Sequence, residues 1–110
     1  MTSKLMPDPQ ALADASMTTE AAFQVRVVAL LKRRGWRVYH THDSRRSEAG
    51  FPDLIAIRGR QLFAIELKTA RGRVTDAQLD WLRAFGEVTE VDAFILRPAP
   101  DWSEFERRIA

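Results

Sequence analysis

Two short apolar runs, Leu54 to Ile57 and Leu62 to Leu67, carry three charged groups at one end: Asp53, Glu66 and Lys68. Only Arg58-Gly59-Arg60-Gln61 separates the runs, and glycine at the first central position of a two-residue turn signals a type II′ hairpin. With Gly59 and Arg60 in the turn, Ile57 faces Leu62, Ile55 faces Ala64 and Asp53 faces Glu66. Directly opposed residues have Cβ atoms about 4.5–5.5 Å apart, which sets two carboxylates side by side. Lys68 falls on the same face, diagonal to Asp53 at roughly 7–8 Å. Opposed like charges are destabilising, and burial raises one of the two carboxyl pKa values. A divalent cation resolves that conflict. Oxygen donors, with no Cys in the chain and neither His in the cluster, suit Mg²⁺ or Mn²⁺. The competing reading makes Glu66 and Lys68 ordinary polar residues at a frayed strand end. Against it, both runs are apolar on both faces, so the pair is expected to be covered on both sides, with its charges at the margin of the core.

The surrounding elements follow from periodicity and caps. Pro52 cannot donate to a ladder and belongs at a strand's first residue, with Gly50 freeing the backbone before it. Thr18-Thr19-Glu20, then Phe23, Val27, Leu30 and Leu31, predicts a helix from about Thr19 to Arg34, stopped by Gly35. Trp36 to His40 alternates as a short strand, and Thr41 to Gly50 is a polar loop. Thr75-Asp76-Ala77-Gln78 is a capping box opening a helix through Leu79, Trp81, Leu82 and Phe85 to Gly86. Ala93 to Leu96 is a further strand. Asp101-Trp102-Ser103-Glu104 reads as a second capping box before a short, weak terminal helix. The order α-β-β-β-α-β-α predicts an α/β layered domain with a mixed sheet. Trp36 is expected in the core, Trp81 and Phe85 in the core or at a dimer surface, and Trp102 is the least constrained tryptophan.

The chain has 110 residues, enough for one core and not two. Residues 1–17 read as a flexible arm and 18–110 as a single domain. Cysteine is absent, which excludes disulfides, Cys-ligated zinc and thiol nucleophiles. The longest uncharged apolar run, Val27 to Leu31, is too short to cross a bilayer, and the first residues lack the apolar stretch of a secretory signal. The net charge of +2 hides a split. Residues 21–75 hold 12 basic and 4 acidic side chains, a net of +8, whereas 76–110 hold 4 and 8, a net of −4. Fourteen of the seventeen bases are Arg, whose planar fork suits phosphate. Ser44, Arg45 and Arg46 either grip phosphates or are solvated loop charge. Arg71 and Arg73 follow Lys68 and are expected to line its cleft. His40 and His42 lack a partner motif and read as substrate-facing or surface residues, not metal ligands.

Gly50-Phe51-Pro52-Asp53-Leu54, an eleven-residue spacer, Glu66-Leu67-Lys68 and a helix carrying Gln78 together resemble the PD-(D/E)XK nuclease superfamily. Within it they resemble the VRR-NUC branch, the virus-type replication-repair nucleases, from about Thr19 to Leu96. Ser44 to Asp53 is similar to a segment of small stand-alone phage and actinobacterial members. The resemblance implies a restriction-endonuclease-like core and a metal-dependent phosphodiesterase. It implies catalytic roles for Asp53, Glu66, Lys68 and Gln78: Asp53 and Glu66 on Mg²⁺, Lys68 positioning water and steadying charge, Gln78 orienting the site. Glu20 is its implied third metal ligand, although a first-turn Glu also complements the helix dipole. DNA as partner, a homodimer, Holliday junction resolution and the cytoplasm of a bacterial or phage-infected cell are further implications. The alternatives are a restriction-like endonuclease lacking its specificity partner, or a nucleic-acid-binding module of the same fold without catalysis. A protein-interaction domain is disfavoured by the +8 stretch.

Overall fold

Thr19 opens the first helix as its N-cap, its Oγ1 accepting from the Ala22 N–H at 3.1 Å. The computed structural model describes residues 19–42 and 47–110. The expected arm over 1–17 and the loop residues Ser44, Arg45 and Arg46 lie outside the described residues. Helix α1 (Glu20–Arg33) buries the stripe Phe23, Val27, Leu30 and Leu31 and ends in a Schellman pair: Trp36 N–H donates to Leu31 and Gly35 N–H to Lys32. Strand β1 (Arg37–His40) follows, then the hairpin of β2 (Leu54–Arg58) and β3 (Gln61–Leu67). Helix α2 (Asp76–Gly86) crosses to β4 (Val91–Leu96), and α3 (Asp101–Arg108) closes the described chain.

The sheet order is β1-β2-β3-β4, antiparallel through β3, with β4 parallel to β3. The hairpin register is the expected one: Ile57 pairs with Leu62, Ile55 with Ala64 and Leu54 with Ile65. Gly59 has φ +60° and Arg60 is not left-handed, the backbone of a II′ turn. The loop length therefore dictates which residues meet at the far end.

Alternation along the strands separates two faces. On one, Leu54, Ala56, Phe63, Ile65 and Leu67 are fully buried with Phe23, Val27 and Leu31 of α1 and Phe105 of α3. Trp36 stacks on Phe63 at 4.4 Å, and Phe23 meets Trp102 at 6.2 Å. The expectation of cover on both faces holds only in part. Helix α2 packs against β4 and β3, so Ala64 is buried while Ile57 is 42% exposed and Tyr39, paired with Ile55 on β1, 62%.

Two expectations for the terminal helix are corrected. Asp101 does not cap it: Pro100 is the N-cap, without a side-chain bond, and Asp101 Oδ2 instead accepts from the Arg97 N–H at 3.0 Å. Trp102 is buried, not loosely held, because it fills the space between Phe23 and Phe105. Arg58 is also drawn into the fold: it donates to the Arg34 and Ile109 carbonyls, both at 3.0 Å, and lies 4.7 Å over the Trp36 ring. That arginine stitches three segments together and is lost to any phosphate-binding surface.

Candidate active site

The far end of the hairpin places Asp53 one residue before β2 and Glu66 near the end of β3. The preceding segment is fastened to two elements. The Thr41 N–H donates to the Asp53 carbonyl at 3.0 Å and Thr41 Oγ1 to the Pro52 carbonyl at 3.1 Å, tying it to the end of β1. On the other side, Trp81 Nε1 donates to the Ala49 carbonyl at 3.1 Å, and the Phe51 ring packs edge-on against Trp81 and Phe85. Trp81 and Phe85 thus seat the loop that presents Asp53. Gly50, at φ +83°, lies so close to α2 that a Cβ would fall 2.4 Å from the Ala77 backbone. Only glycine permits that approach.

The Asp53 side chain is anchored as well: its Oδ2 accepts from the Leu67 N–H at 2.8 Å. Glu66 is 2% exposed and Lys68 8%, the only buried charged side chains among the described residues. Lys68 Nζ stands 3.7 Å from Glu66 Oε2. Burial, the Asp53 charge and a hydrogen bond to Asp53 push the Glu66 carboxyl up to about 8 against the opposing pull of Lys68, with Glu20 adding a smaller push. Glu20 is raised by partial desolvation, then by Asp53, and lowered by Lys68. Asp53, Glu66, Lys68 and Glu20 therefore form one electrostatic unit from four places in the chain.

A cleft of about 520 Å³ opens onto this unit, lined by Glu20, Thr41, His42, Ser47, Asp53, Glu66, Thr75 and Gln78, among others. Gln78 reaches it through the expected capping box: Thr75 Oγ1 accepts from Gln78 N–H at 3.2 Å and Gln78 Oε1 from Thr75 N–H at 2.9 Å. With Oε1 committed, the amide NH₂ is what Gln78 has left to offer the cleft. His42 lies on the cleft wall, whereas His40 lies with Gln24, Val25 and Val28 in a separate groove. Arg71 and Arg73 are exposed and, like Lys68, are not among the residues lining this cleft. The carbonyls of their turn point inward to Arg97, at 2.7 Å from Thr69 and 2.9 Å from Gly72, which leaves the arginine side chains outside.

The donors fit a hard divalent ion. Asp53 and Glu66 are oxygen donors close enough to interact, and a cation would offset the Asp53 charge that adds to burial in raising Glu66. No three His, Cys, Asp or Glu side chains among the described residues form a complete metal-holding group, although Glu20, Asp53 and Glu66 line one cleft and interact electrostatically. Thr41 and Arg97 escaped the sequence reading. Their contacts span 11 and 28 residues, and neither has a local pattern to mark it.

A mixed four-stranded sheet with Pro-Asp at the mouth of one strand and Glu-x-Lys at the end of its neighbour defines the PD-(D/E)XK nuclease fold. More narrowly, the VRR-NUC domain matches residues 7–100, and the chain belongs to the VRR-NUC family. Among solved structures it is similar to Hjc of Archaeoglobus fulgidus, a Holliday junction resolvase from an archaeal hyperthermophile. The two share 22% identity and a TM-score of 0.55, over 68% of this chain and 63% of the resolvase. This chain thus spans less than two-thirds of the resolvase's length, and the likeness is one of fold. No curated protein matches the chain.

Proposed function

We propose that the chain is a Mg²⁺-dependent nuclease that hydrolyses DNA phosphodiesters, with Mn²⁺ able to substitute, selecting its substrate by shape. The observation that carries this reading is the Asp53, Glu66 and Lys68 constellation at one end of the hairpin, with Glu66 and Lys68 buried and the two carboxylates lining a cleft. Asp53 and Glu66 would hold the ion, with Glu20 as a third donor from the start of α1. When bound, a divalent ion acts as a Lewis acid that offsets charge on the phosphate and lowers the pKa of water.

The protein's own groups supply the rest. Lys68, held at one geometry by burial and by Glu66, offers a fixed cation to the charge that develops on the phosphate and a donor that orients the attacking water. The Leu67 N–H fixes the Asp53 carboxylate, so the donor pair is oriented before substrate arrives. The Gln78 amide lies on the cleft wall as a further donor. Arg45 and Arg46 with Ser44, and Arg71 and Arg73, serve backbone phosphates.

Shape selection is supported by the arrangement of the basic stretch, which serves phosphates, and by the fold shared with a Holliday junction resolvase. A four-way junction needs two symmetric cuts, and a homodimer supplies them. The protein would work on DNA in the cytoplasm of a bacterial or phage-infected cell; no helix among the described residues is long and apolar enough to cross a membrane. The test is cleavage of linear, flap, splayed and four-way DNA in Mg²⁺ and in EDTA. Mg²⁺-dependent cutting that favours a branched substrate is expected; a panel left intact in Mg²⁺ and Mn²⁺ overturns the reading.

A further inference from the structure

Lys68 stands one residue past the end of β3, yet it is 8% exposed. Its backbone N–H donates to the Leu96 carbonyl at 3.1 Å, which fixes its Cα at the end of β4. The alkyl stem is covered by the turn that follows. Gly72 N–H donates to the Thr69 carbonyl at 3.1 Å, and the Gly72 backbone lies so close that a Cβ there would be 3.2 Å from Lys68 Cδ. A four-residue turn closed by one backbone bond does not hold its own shape in water. Here it is held by the residue that follows β4 at that same end: Arg97 Nη1 donates to the Thr69 carbonyl at 2.7 Å and the Gly72 carbonyl at 2.9 Å, the first and last residues of the turn. Arg97 is itself fixed, its N–H donating to Asp101 Oδ2 at the start of α3.

We infer that Arg97 is a positioning residue for Lys68: it clamps the Thr69–Gly72 turn over the Lys68 stem and so aims the ammonium at Glu66. The inference rests on the nuclease reading for its consequence in catalysis, though the clamp can be tested without it. Asp101, read from the sequence as a cap, acts as the fixed point of the clamp, while the N-cap position of α3 is held by Pro100, whose side chain has no acceptor.

Three lysines in the chain make Lys68 separable from Lys4 and Lys32 in the NMR spectrum of protein carrying ¹³C at lysine Cε, with Lys68→Arg identifying its signal. The two ε-protons of an immobilised lysine differ in shift, and rapid rotamer exchange averages them. Arg97→Met keeps the alkyl length and removes the donors. In a variant whose backbone amides show the fold intact, the Lys68 ε-protons are expected to merge. Single-turnover cleavage at saturating DNA is expected to fall about ten- to a hundredfold, the scale of a misplaced catalytic group. Gly72→Ala, which presses on the stem while leaving the Arg97 bonds in place, is expected to shift the same signal, and decides the matter should Arg97→Met not fold. An unchanged Lys68 signal in folded Arg97→Met, or in Gly72→Ala where the former does not fold, overturns the inference. Wild-type protein that cuts no substrate would overturn the nuclease reading and leave the Lys68 spectrum to judge the clamp.

Discussion

Strand β3 is buried on both sides but for opposite reasons. Phe63, Ile65 and Leu67 point into an apolar core that stabilises the fold; Ala64 and Glu66 point the other way, and Glu66 with Lys68 beyond it are the only buried charges described. Taking a carboxylate and an ammonium out of water costs several kcal/mol per ion before their attraction offsets it. A contact at 3.7 Å is loose for a pair meant to offset that cost, and Asp53 beside it adds repulsion. One face of the strand serves stability, and the other is maintained at stability's expense. Such a face is the mark of a site.

The contrast can be broken by exchange of single residues. Glu66→Ala or Lys68→Ala should lower cleavage on the order of a thousandfold or more, the scale of removing a preorganised charge-stabilising group, while retaining DNA binding in a gel-shift titration. Robust cutting by either would erase the distinction between the faces. Across the strand, Phe63→Ala should cost about 3–5 kcal/mol in urea unfolding, through lost burial and a cavity beside Trp36 and Phe94.

Smaller effects sharpen the comparison. Glu66 titrates at about 8 when folded, against its ordinary 4.5. Between those values the folded chain keeps a proton that the unfolded chain has released. In EDTA, stability should therefore fall as pH rises from 4.5 to 8 and level off above, and Glu66→Gln should flatten that slope in a series of urea melts. Mg²⁺ at a hundred times its Kd should raise wild-type stability at pH 8 by about 2.7 kcal/mol and Asp53→Asn by much less, read by thermal melting. Smallest, Trp81→Phe should cost about 1 kcal/mol by losing its bond to the Ala49 carbonyl.

The hairpin end of the site was legible because a two-residue turn at Gly59 leaves one register, and that register, running to Leu54 opposite Ile65, brings Asp53 and Glu66 close enough to interact. The Thr75–Gln78 box was legible because both partners lie within one turn. What escaped depends on contacts that no local pattern encodes. Asp101 accepts from the Arg97 N–H and does not cap its own helix. Trp102 finds its burial against Phe23 of α1, far away in sequence, and Arg58, which the sequence places only beside the turn, is held by contacts from two distant segments. The cover on the second face depends on where α2 sits, which periodicity leaves open.

Gly50 and Gly59 share a left-handed backbone but differ in what surrounds them: Ala77 crowds the first, and nothing lies within 4 Å of the second. A library randomised at both positions and selected for folding should return mostly glycine at 59 with some asparagine and aspartate, the side chains that tolerate the positive φ of a II′ turn at least cost. At 50 it should return glycine alone. The loop presenting Asp53 and the helix presenting Gln78 are thus spliced at a point with no room for a side chain, and sequence drift in either one is constrained by the other.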